Sequence, residues 1–183
     1  MAESDRVASR RIYTGRVLNL DIDTVRFPDG SQGELEIIRH SGASAVIPVL
    51  DDLRSADPRI VLVRQYRYAA GGLVYEIPAG RLDAGESPQA CAGRELEEEA
   101  GYRAETITPL FSIFTTPGFT DERIHLFVAS GLTAVTARRE RDEFLETVEL
   151  PLSAVLDMIG RDEIPDAKTS VALLFFATFG RGR

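Results

Sequence analysis

The sequence predicts an α/β fold in which helices cover both faces of a mixed β-sheet. Residues 45–50 and 60–63 are continuous runs of aliphatic and β-branched side chains, which are typical of strands buried on both faces. Three helical segments are interspersed among these runs and several further strand segments. That order is expected of a mixed sheet with helices packed on it.

The remaining elements follow in order along the chain. Residues 17–27 alternate apolar and polar side chains, which predicts a strand. The turn signal Pro28-Asp29-Gly30 and a second strand at 34–39 complete a hairpin. The later predicted elements are a helix from Pro88 with Ser87 as its N-cap and Gly101 as its stop, strands at 107–114, 123–128 and 144–150, a short helix at 152–159, and a last helix from an Asp166 cap to about Phe179.

The composition is that of an ordinary globular chain. It has 183 residues with 44% hydrophobic side chains, enough for one sizeable core. The net charge of -8 argues against a nucleic-acid partner. No apolar run approaches the ~20 residues that cross a bilayer, and residues 1–11 contain no signal-peptide segment. A single cysteine, Cys91, fits a reducing compartment, so we expect a cytoplasmic protein without a membrane partner.

A dense cluster of carboxylates lies on the helix predicted from Pro88. At 100° per residue, Glu95, Glu98 and Glu99 share an arc of roughly 100°, while Glu97 points to the far side. Like charges at this spacing repel, and the helix dipole disfavours anions near its C-terminal end. A divalent cation would compensate, and oxygen ligands suit Mg²⁺ or Mn²⁺ better than zinc. A solvated acidic helix face is the alternative interpretation.

The spacing around these carboxylates favours the metal site. The pattern is Gly80, five residues, Glu86, seven residues, Arg94-Glu95-Leu96, one residue, Glu98-Glu99, one residue, Gly101 and a bulky side chain at Tyr102. Every fixed position is filled, and the pattern resembles the signature of the Nudix hydrolases. Only Tyr102 departs mildly, because it stands where an aliphatic residue is expected. The resemblance runs from about residue 10 to residue 180.

This resemblance implies a Nudix-type α/β/α sandwich with a mixed sheet at residues 41–183. It also implies a small N-terminal antiparallel β-sheet region at residues 1–40 that helps to form a dimer. The last helix is apolar nearly all round, which adds to the expectation of a homodimer.

The resemblance also assigns the carboxylates. Glu95 and Glu99 would be the main ligands of Mg²⁺ (or Mn²⁺), with Glu98 assisting and the backbone carbonyl of Ala79 completing the set. Arg94 would orient the glutamates, and Glu86 would steady the loop before the helix.

Features outside the signature resemble the ADP-ribose pyrophosphatases. Pro117 lies 16 residues after Gly101 in a Pro-Gly context, and three further segments match: Gln65-Tyr66-Arg67, Glu76-Ile77-Pro78-Ala79-Gly80 and residues 164–169. The resemblance implies metal-dependent hydrolysis of the diphosphate of ADP-ribose, or of a related nucleoside diphosphate sugar, to AMP and ribose 5-phosphate. Substrate contacts are expected from Arg39, Arg67, Pro117, Gly118 and Glu122. Arginine suits diphosphate oxygens because its planar fork donates two parallel hydrogen bonds.

Each of these interpretations has a structural alternative. Arg39 would equally serve in a surface ion pair, and Pro117-Gly118 is a common surface turn. The general base is expected on the loop at residues 137–143, with Glu143 as the first choice, Glu140 as the second and Asp142 as a further candidate. Solvated surface acids are the alternative there.

Two other functions remain open. The first is a Nudix hydrolase of another nucleotide sugar, a flavin dinucleotide or a dinucleoside polyphosphate. The second is a non-catalytic module that senses a nucleotide. The complete set of signature carboxylates favours an enzyme.

Overall fold

The computed structural model describes residues 5–137 and 145–180, which divide into two compact units. The first unit comprises the chain up to Gly42 together with Phe114–Arg123. The second unit comprises the rest of the described residues. Within the described residues, seven strands precede the first α-helix, and three more strands lie between it and the last two α-helices. The predicted mixed α/β class is confirmed.

The first unit is built on a three-stranded antiparallel sheet in the order β1 (Arg6–Thr14), β2 (Asn19–Arg26) and β3 (Gln32–Arg39). The hairpin predicted from the alternating pattern is therefore confirmed as β2 and β3. Gly30 adopts a φ of 85° in the connecting turn, a conformation that glycine reaches without strain. Strand β1 was not predicted, because all nine of its residues are exposed and its sequence carries no alternation.

The second segment of this unit, Phe114–Arg123, is bonded along the end of β3. The Ile38 amide donates to the Phe119 carbonyl at 2.8 Å, and the Asp121 amide donates to the Ile38 carbonyl at 3.2 Å. Ile38 and Thr120 form a parallel bridge. These bonds give the Pro117-Gly118 segment a defined backbone path.

The second unit contains two further sheets and three helices. Its strands are β4 (Ala43–Pro48), β5 (Arg59–Arg67), β6 (Gly72–Glu76), β7 (Ala79–Arg81), β8 (Tyr102–Phe114), β9 (Arg123–Ala134) and β10 (Leu145–Pro151). One sheet has the order β10-β5-β6, and the other has the order β7-β4-β9-β8. Since β4 runs parallel to β9 and antiparallel to β7, the second sheet is mixed.

The helices pack on both faces of these strands. On one face, α1 (Pro88–Glu95) and the turn after it bury Ala92, Leu96 and Ala100 against Val46 and Val61. On the other face, α2 (Leu152–Gly160) and α3 (Ala167–Phe175) contribute to a larger cluster with the intervening strand residues. Neighbouring residues of β4 face opposite clusters, as the period-2 geometry of a strand requires. The described residues contain no helix long and apolar enough to cross a membrane.

Two features differ from the sequence-based expectations. Strands β6 and β7 were not predicted, because each is only three to five residues long and carries no clear period. The helix from Pro88 is not α-helical throughout: after Glu95 it continues as a π-helical turn, Leu96–Ala100. The last helix ends in the same way, with a π-helical turn at Phe176–Gly180.

Candidate active site

The acidic helix begins and ends at the predicted residues. Ser87 is the N-cap of α1, its hydroxyl accepting a hydrogen bond from the Ala90 amide, and Pro88 is the first helical residue. Gly101 ends the π turn with a φ of 72°, and its amide donates to the Leu96 carbonyl. A π turn holds about one residue more than an α turn and is a frequent feature of functional sites. The carboxylates of Glu98 and Glu99 lie on this widened turn.

The structure separates the four glutamates of this segment by burial and partner. Glu95 and Glu99 are buried, at 8% and 3% exposure, although carboxylates are rarely buried without a partner. Glu97 is turned to a different partner, accepting a hydrogen bond from Arg103 Nε at 2.7 Å. Glu98 is partly exposed, and its Oε2 accepts from Arg94 at 3.1 Å. The predicted division between Glu97 and the other three is therefore seen in their contacts.

Arg94 is the centre of this carboxylate cluster. Its Nε and Nη2 donate to the two oxygens of Glu86 at 2.9 and 3.0 Å, a bidentate pair. Its Nη1 donates to Glu95 at 2.6 Å as well as to Glu98. Nη2 also donates a hydrogen bond to the Arg81 carbonyl at 3.1 Å. One guanidinium therefore joins β7, the loop after it and the helix.

Glu86 anchors the loop before the helix. Its Oε2 accepts from the Asp83 amide at 3.1 Å, and its own amide donates to the Asp83 carbonyl at 3.0 Å. The hydrogen bonds from Arg94 are the largest influence on this carboxyl and lower the pKa of Glu86 to about 2. Glu86 is therefore ionised throughout the neutral range, and Arg94 keeps its counterion there.

Strand β7 brings backbone atoms next to the glutamates. Ala79 and Gly80 pair with Ala45 and Ser44 of β4, which fixes the path of this short strand. The Ala79 amide donates to Glu99 Oε2 at 2.9 Å. A Cβ placed on Gly80 would lie 1.8 Å from Glu95 Oε1, so only glycine leaves room for that carboxylate.

The residues around β7 fit a hard divalent cation by their chemistry. The available donors are the carboxylates of Glu95, Glu98 and Glu99 and the backbone carbonyl of Ala79, an all-oxygen set. Within residues 5–137 and 145–180, no three His, Cys, Asp or Glu side chains already converge as metal ligands. The positive charge beside Glu95 and Glu98 in this structure is that of Arg94.

Cys91 is not suited to join this set. It is fully buried on α1, and its Sγ lies 3.4 Å from the Arg81 carbonyl and 3.5 Å from the Gly80 carbonyl. Burial is the largest influence on the thiol and raises the pKa of Cys91 to about 11. The thiol is thus enclosed and lies against backbone carbonyls, so Cys91 is a buried packing residue.

Arg67, a predicted substrate contact, lies in the second unit beside a cavity of about 390 Å³. Its Nε and Nη2 donate to the two oxygens of Glu76 at 2.7 and 2.9 Å. Lys168 of α3 reaches the same carboxylate, and Asp166, which caps α3, lies 3.0 Å from the Lys168 ammonium. Burial would raise the pKa of Glu76, but the hydrogen bonds and charges of Arg67 and Lys168 outweigh it and lower that pKa.

Sequence reasoning did not give Glu76 and Lys168 a role. Both lie in segments that carried the family resemblance, at 76–80 and 164–169, but nothing in their local pattern links them. They are 92 residues apart in the chain, and only the packing of α3 beside β6 brings their charges together.

Arg39 lies in the first unit, where it is enclosed by carboxylates. It donates to Asp21 at 3.2 Å, to Asp121 at 3.1 Å and to the fully buried Asp23. Both Nη atoms and Nε are thus engaged in ion pairs, as in the alternative for this residue, although Arg39 is largely buried and not at the surface. A role of Arg39 in substrate binding stays a prediction.

The other predicted substrate contacts also lie in the first unit. Pro117 and Gly118 are exposed in a turn closed by the Phe119 amide, which donates to the Thr116 carbonyl at 3.1 Å. Glu122 accepts from the Thr115 hydroxyl at 2.9 Å and lies 3.6 Å from His40 Nδ1. The candidate bases Glu140, Asp142 and Glu143 fall outside the described residues.

The contact between Gly80 and Glu95 makes a testable prediction about stability. Gly80→Ala places a methyl group on the Glu95 carboxylate and forces β7 or the helix to shift, so we expect a loss of about 1–3 kcal/mol in the free energy of unfolding. Gly160→Ala is the control, because a Cβ at Gly160 meets no atom within 4 Å. Urea denaturation of both variants measures the difference, and equal stabilities would contradict the close approach.

Comparison with known proteins agrees with this geometry. The model of the NUDIX domain family matches residues 40–172. An ADP-ribose pyrophosphatase of Bacillus subtilis (strain 168) is 38% identical over 175 residues, which cover 94% of this chain and 92% of that protein. A methanol dehydrogenase activator of Bacillus methanolicus is 42% identical over 175 residues, with the same coverage of both chains.

A solved structure described as an ADP compounds hydrolase has the same fold. It matches 97% of this chain and 95% of its own with a TM-score of 0.80 and 24% sequence identity. The family match covers most of the chain, and it includes the Gly80–Gly101 segment, the Arg94-centred cluster and the β7 approach to Glu95. The chain belongs to the Nudix family and is a Nudix hydrolase.

Proposed function

We propose that this hydrolase cleaves the diphosphate of ADP-ribose, giving AMP and ribose 5-phosphate with the help of Mg²⁺ (or Mn²⁺). The observation that carries the proposal is the burial of two carboxylates, Glu95 and Glu99, where Gly80 and Ala79 of β7 approach the π turn. The similarity to a Bacillus subtilis ADP-ribose pyrophosphatase over 94% of the chain supports this choice of substrate.

Glu95, Glu98 and Glu99, with the Ala79 carbonyl, would hold the cation. A bound divalent cation neutralises phosphate charge and makes bound water more acidic. Arg94 keeps Glu95 and Glu98 on the same side of the helix through Nη1, and Glu86 keeps Arg94 in place. Because the chain carries a net charge of -8, this local compensation matters for an anionic substrate.

Arg67 would bind oxygens of the diphosphate. Two of its five N–H groups are used by Glu76, and the others have no acceptor among the described residues. In the reaction, the oxygen of a water molecule attacks one phosphorus, and the bond from that phosphorus to the bridging oxygen breaks. The attacking water gives its proton to a carboxylate, for which Glu143 is the first candidate and Glu140 the second.

We also propose that the protein is a homodimer. All nine residues of β1 are exposed, including Val7, Ile12 and Tyr13, and the helical C-terminal segment exposes Leu174 and Phe179. Exposed large apolar side chains at these two places, each within its own unit, support the proposal.

The reaction is tested by measuring AMP release from ADP-ribose. We expect release with Mg²⁺ and none with EDTA, and we expect Glu99→Gln to lower kcat/KM roughly 100-fold or more, because several kcal/mol of charge stabilisation is lost. Glu97→Gln is the matched control on the same turn, since Glu97 pairs with Arg103 instead.

Metal-independent release, or equal effects of the two variants, would overturn the metal assignment. The same assay can be run with another nucleotide sugar, a flavin dinucleotide or a dinucleoside polyphosphate. If one of these compounds is hydrolysed faster than ADP-ribose, that compound is the substrate. Binding of ADP-ribose without hydrolysis of any compound would identify a nucleotide-sensing module.

The general base is tested by Glu143→Gln and Glu140→Gln, made separately. We expect Glu143→Gln to lower kcat at least ~100-fold, the range for loss of a general base, and to abolish the acidic limb of the pH–rate profile. If neither variant reaches this loss, the base lies elsewhere.

The dimer is tested by sedimentation equilibrium. We expect twice the monomer mass of 20.1 kDa, and a reversion towards the monomer when Ile12→Glu places a charge on β1. A wild-type protein of 20.1 kDa across the accessible concentrations would refute the homodimer.

A further inference from the structure

The cavity between the edge strand β6 and the first turn of α3 is lined by four charged residues. Arg67 and Lys168 are cationic, and Glu76 and Asp166 are anionic. Val74 and Pro165 supply apolar wall. Since the formal charges cancel, the character of the cavity depends on which hydrogen-bonding groups remain unused.

The two carboxylates are already occupied by protein donors. The oxygens of Glu76, which is 3% exposed, accept three hydrogen bonds, two from Arg67 and one from Lys168. Asp166 Oδ2 accepts from the amide and the hydroxyl of Thr169, and its Oδ1 faces the Lys168 ammonium. Both carboxylates are therefore engaged by hydrogen bonds and ion pairs within the protein.

The two cations retain unused donors. Arg67 has five N–H groups, of which two are bonded to Glu76, and Lys168 has three, of which two face Glu76 and Asp166. Within the described part of the chain these remaining N–H groups have no acceptor. A cavity whose unused groups are donors takes a ligand rich in acceptor oxygens, such as a phosphate.

Lys168 and Arg67 share one carboxylate, that of Glu76. Arg67 and Glu76 alone form a neutral pair, and the carboxylate would offset the attraction of the guanidinium for an anion. Lys168 contacts Glu76 Oε2, the oxygen that also accepts from Arg67 Nη2, and so fixes the carboxylate that orients the guanidinium. The bidentate contact itself leaves the Nη1 side of Arg67 unused. Lys168 is itself held by the N-cap residue of α3.

We propose that Lys168 is a positioning residue: acting through Glu76, it holds the Arg67 guanidinium for a phosphate group of the substrate that lies in this cavity. The proposal rests on the proposed function for the identity of the substrate. It adds a residue of α3, far from the signature in sequence, to the determinants of substrate affinity.

The test uses two substitutions of Lys168 and a second background in which Arg67 is replaced by alanine. In the full-length protein, Lys168→Met is expected to raise KM for ADP-ribose roughly tenfold, the effect of about one charge-assisted hydrogen bond, with little change in kcat. Lys168→Arg should restore most of the affinity. In an Arg67→Ala background, Lys168→Met should have no further effect, because its influence passes through Arg67. Arg161→Met, which breaks an exposed ion pair with Glu163, is the control.

A second readout does not depend on catalysis. Calorimetric titration of ribose 5-phosphate in EDTA should show the same roughly tenfold loss in Lys168→Met, while ribose without phosphate should bind both proteins alike. The positioning role is wrong if Lys168→Met causes an equal loss of affinity in the Arg67→Ala background. It is also wrong if Lys168→Met changes only the melting temperature.

The two proposals fail separately. If wild-type protein does not hydrolyse ADP-ribose but ribose 5-phosphate binding still depends on Lys168, the reaction is wrong and the phosphate subsite stands. If hydrolysis is efficient and Lys168→Met changes neither KM nor binding, the subsite is wrong and the reaction stands.

Discussion

The contact on which the site depends is the placement of one guanidinium, Arg94, among three carboxylates. Glu86, Glu95 and Glu98 would repel one another if brought together without a cation. The helix dipole would add to that cost for Glu95 and Glu98, which lie towards the C-terminal end of the helix. Arg94 donates to all three and also to the Arg81 carbonyl, so it links β7, its loop and the helix. The bidentate pair with Glu86 anchors the side chain, and its Nη1 is shared between Glu95 and Glu98.

The same principle recurs at two other places. Arg39 holds Asp21, Asp23 and Asp121 together in the first unit, and Glu76 is shared by Arg67 and Lys168 in the second. In each case a buried or half-buried ion is acceptable only because several partners satisfy its hydrogen bonds. Arg67 differs from Arg39 in that it lines a cavity and engages two of its five N–H groups, whereas Arg39 engages three.

The features that could be predicted from the sequence are those set by residues close together in the chain. The hairpin of β2 and β3, the Ser87 and Asp166 caps and the Gly101 stop follow from alternation and from residues with strong positional preferences. The signature spacing predicted which glutamates share a face. The π turn was not predictable from a fixed step of 100°, and β1 has no buried face to create a pattern. The link between Glu76 and Lys168 spans 92 positions and exists only after folding.

The approach of Gly80 to Glu95 couples the two positions. A side chain at position 80 and a long carboxylate at position 95 exclude each other, since both require the same volume. Keeping the carboxylate at position 95 therefore requires glycine at position 80, and shortening residue 95 removes that requirement. The absence of a side chain at position 80 is in this sense part of the acidic site.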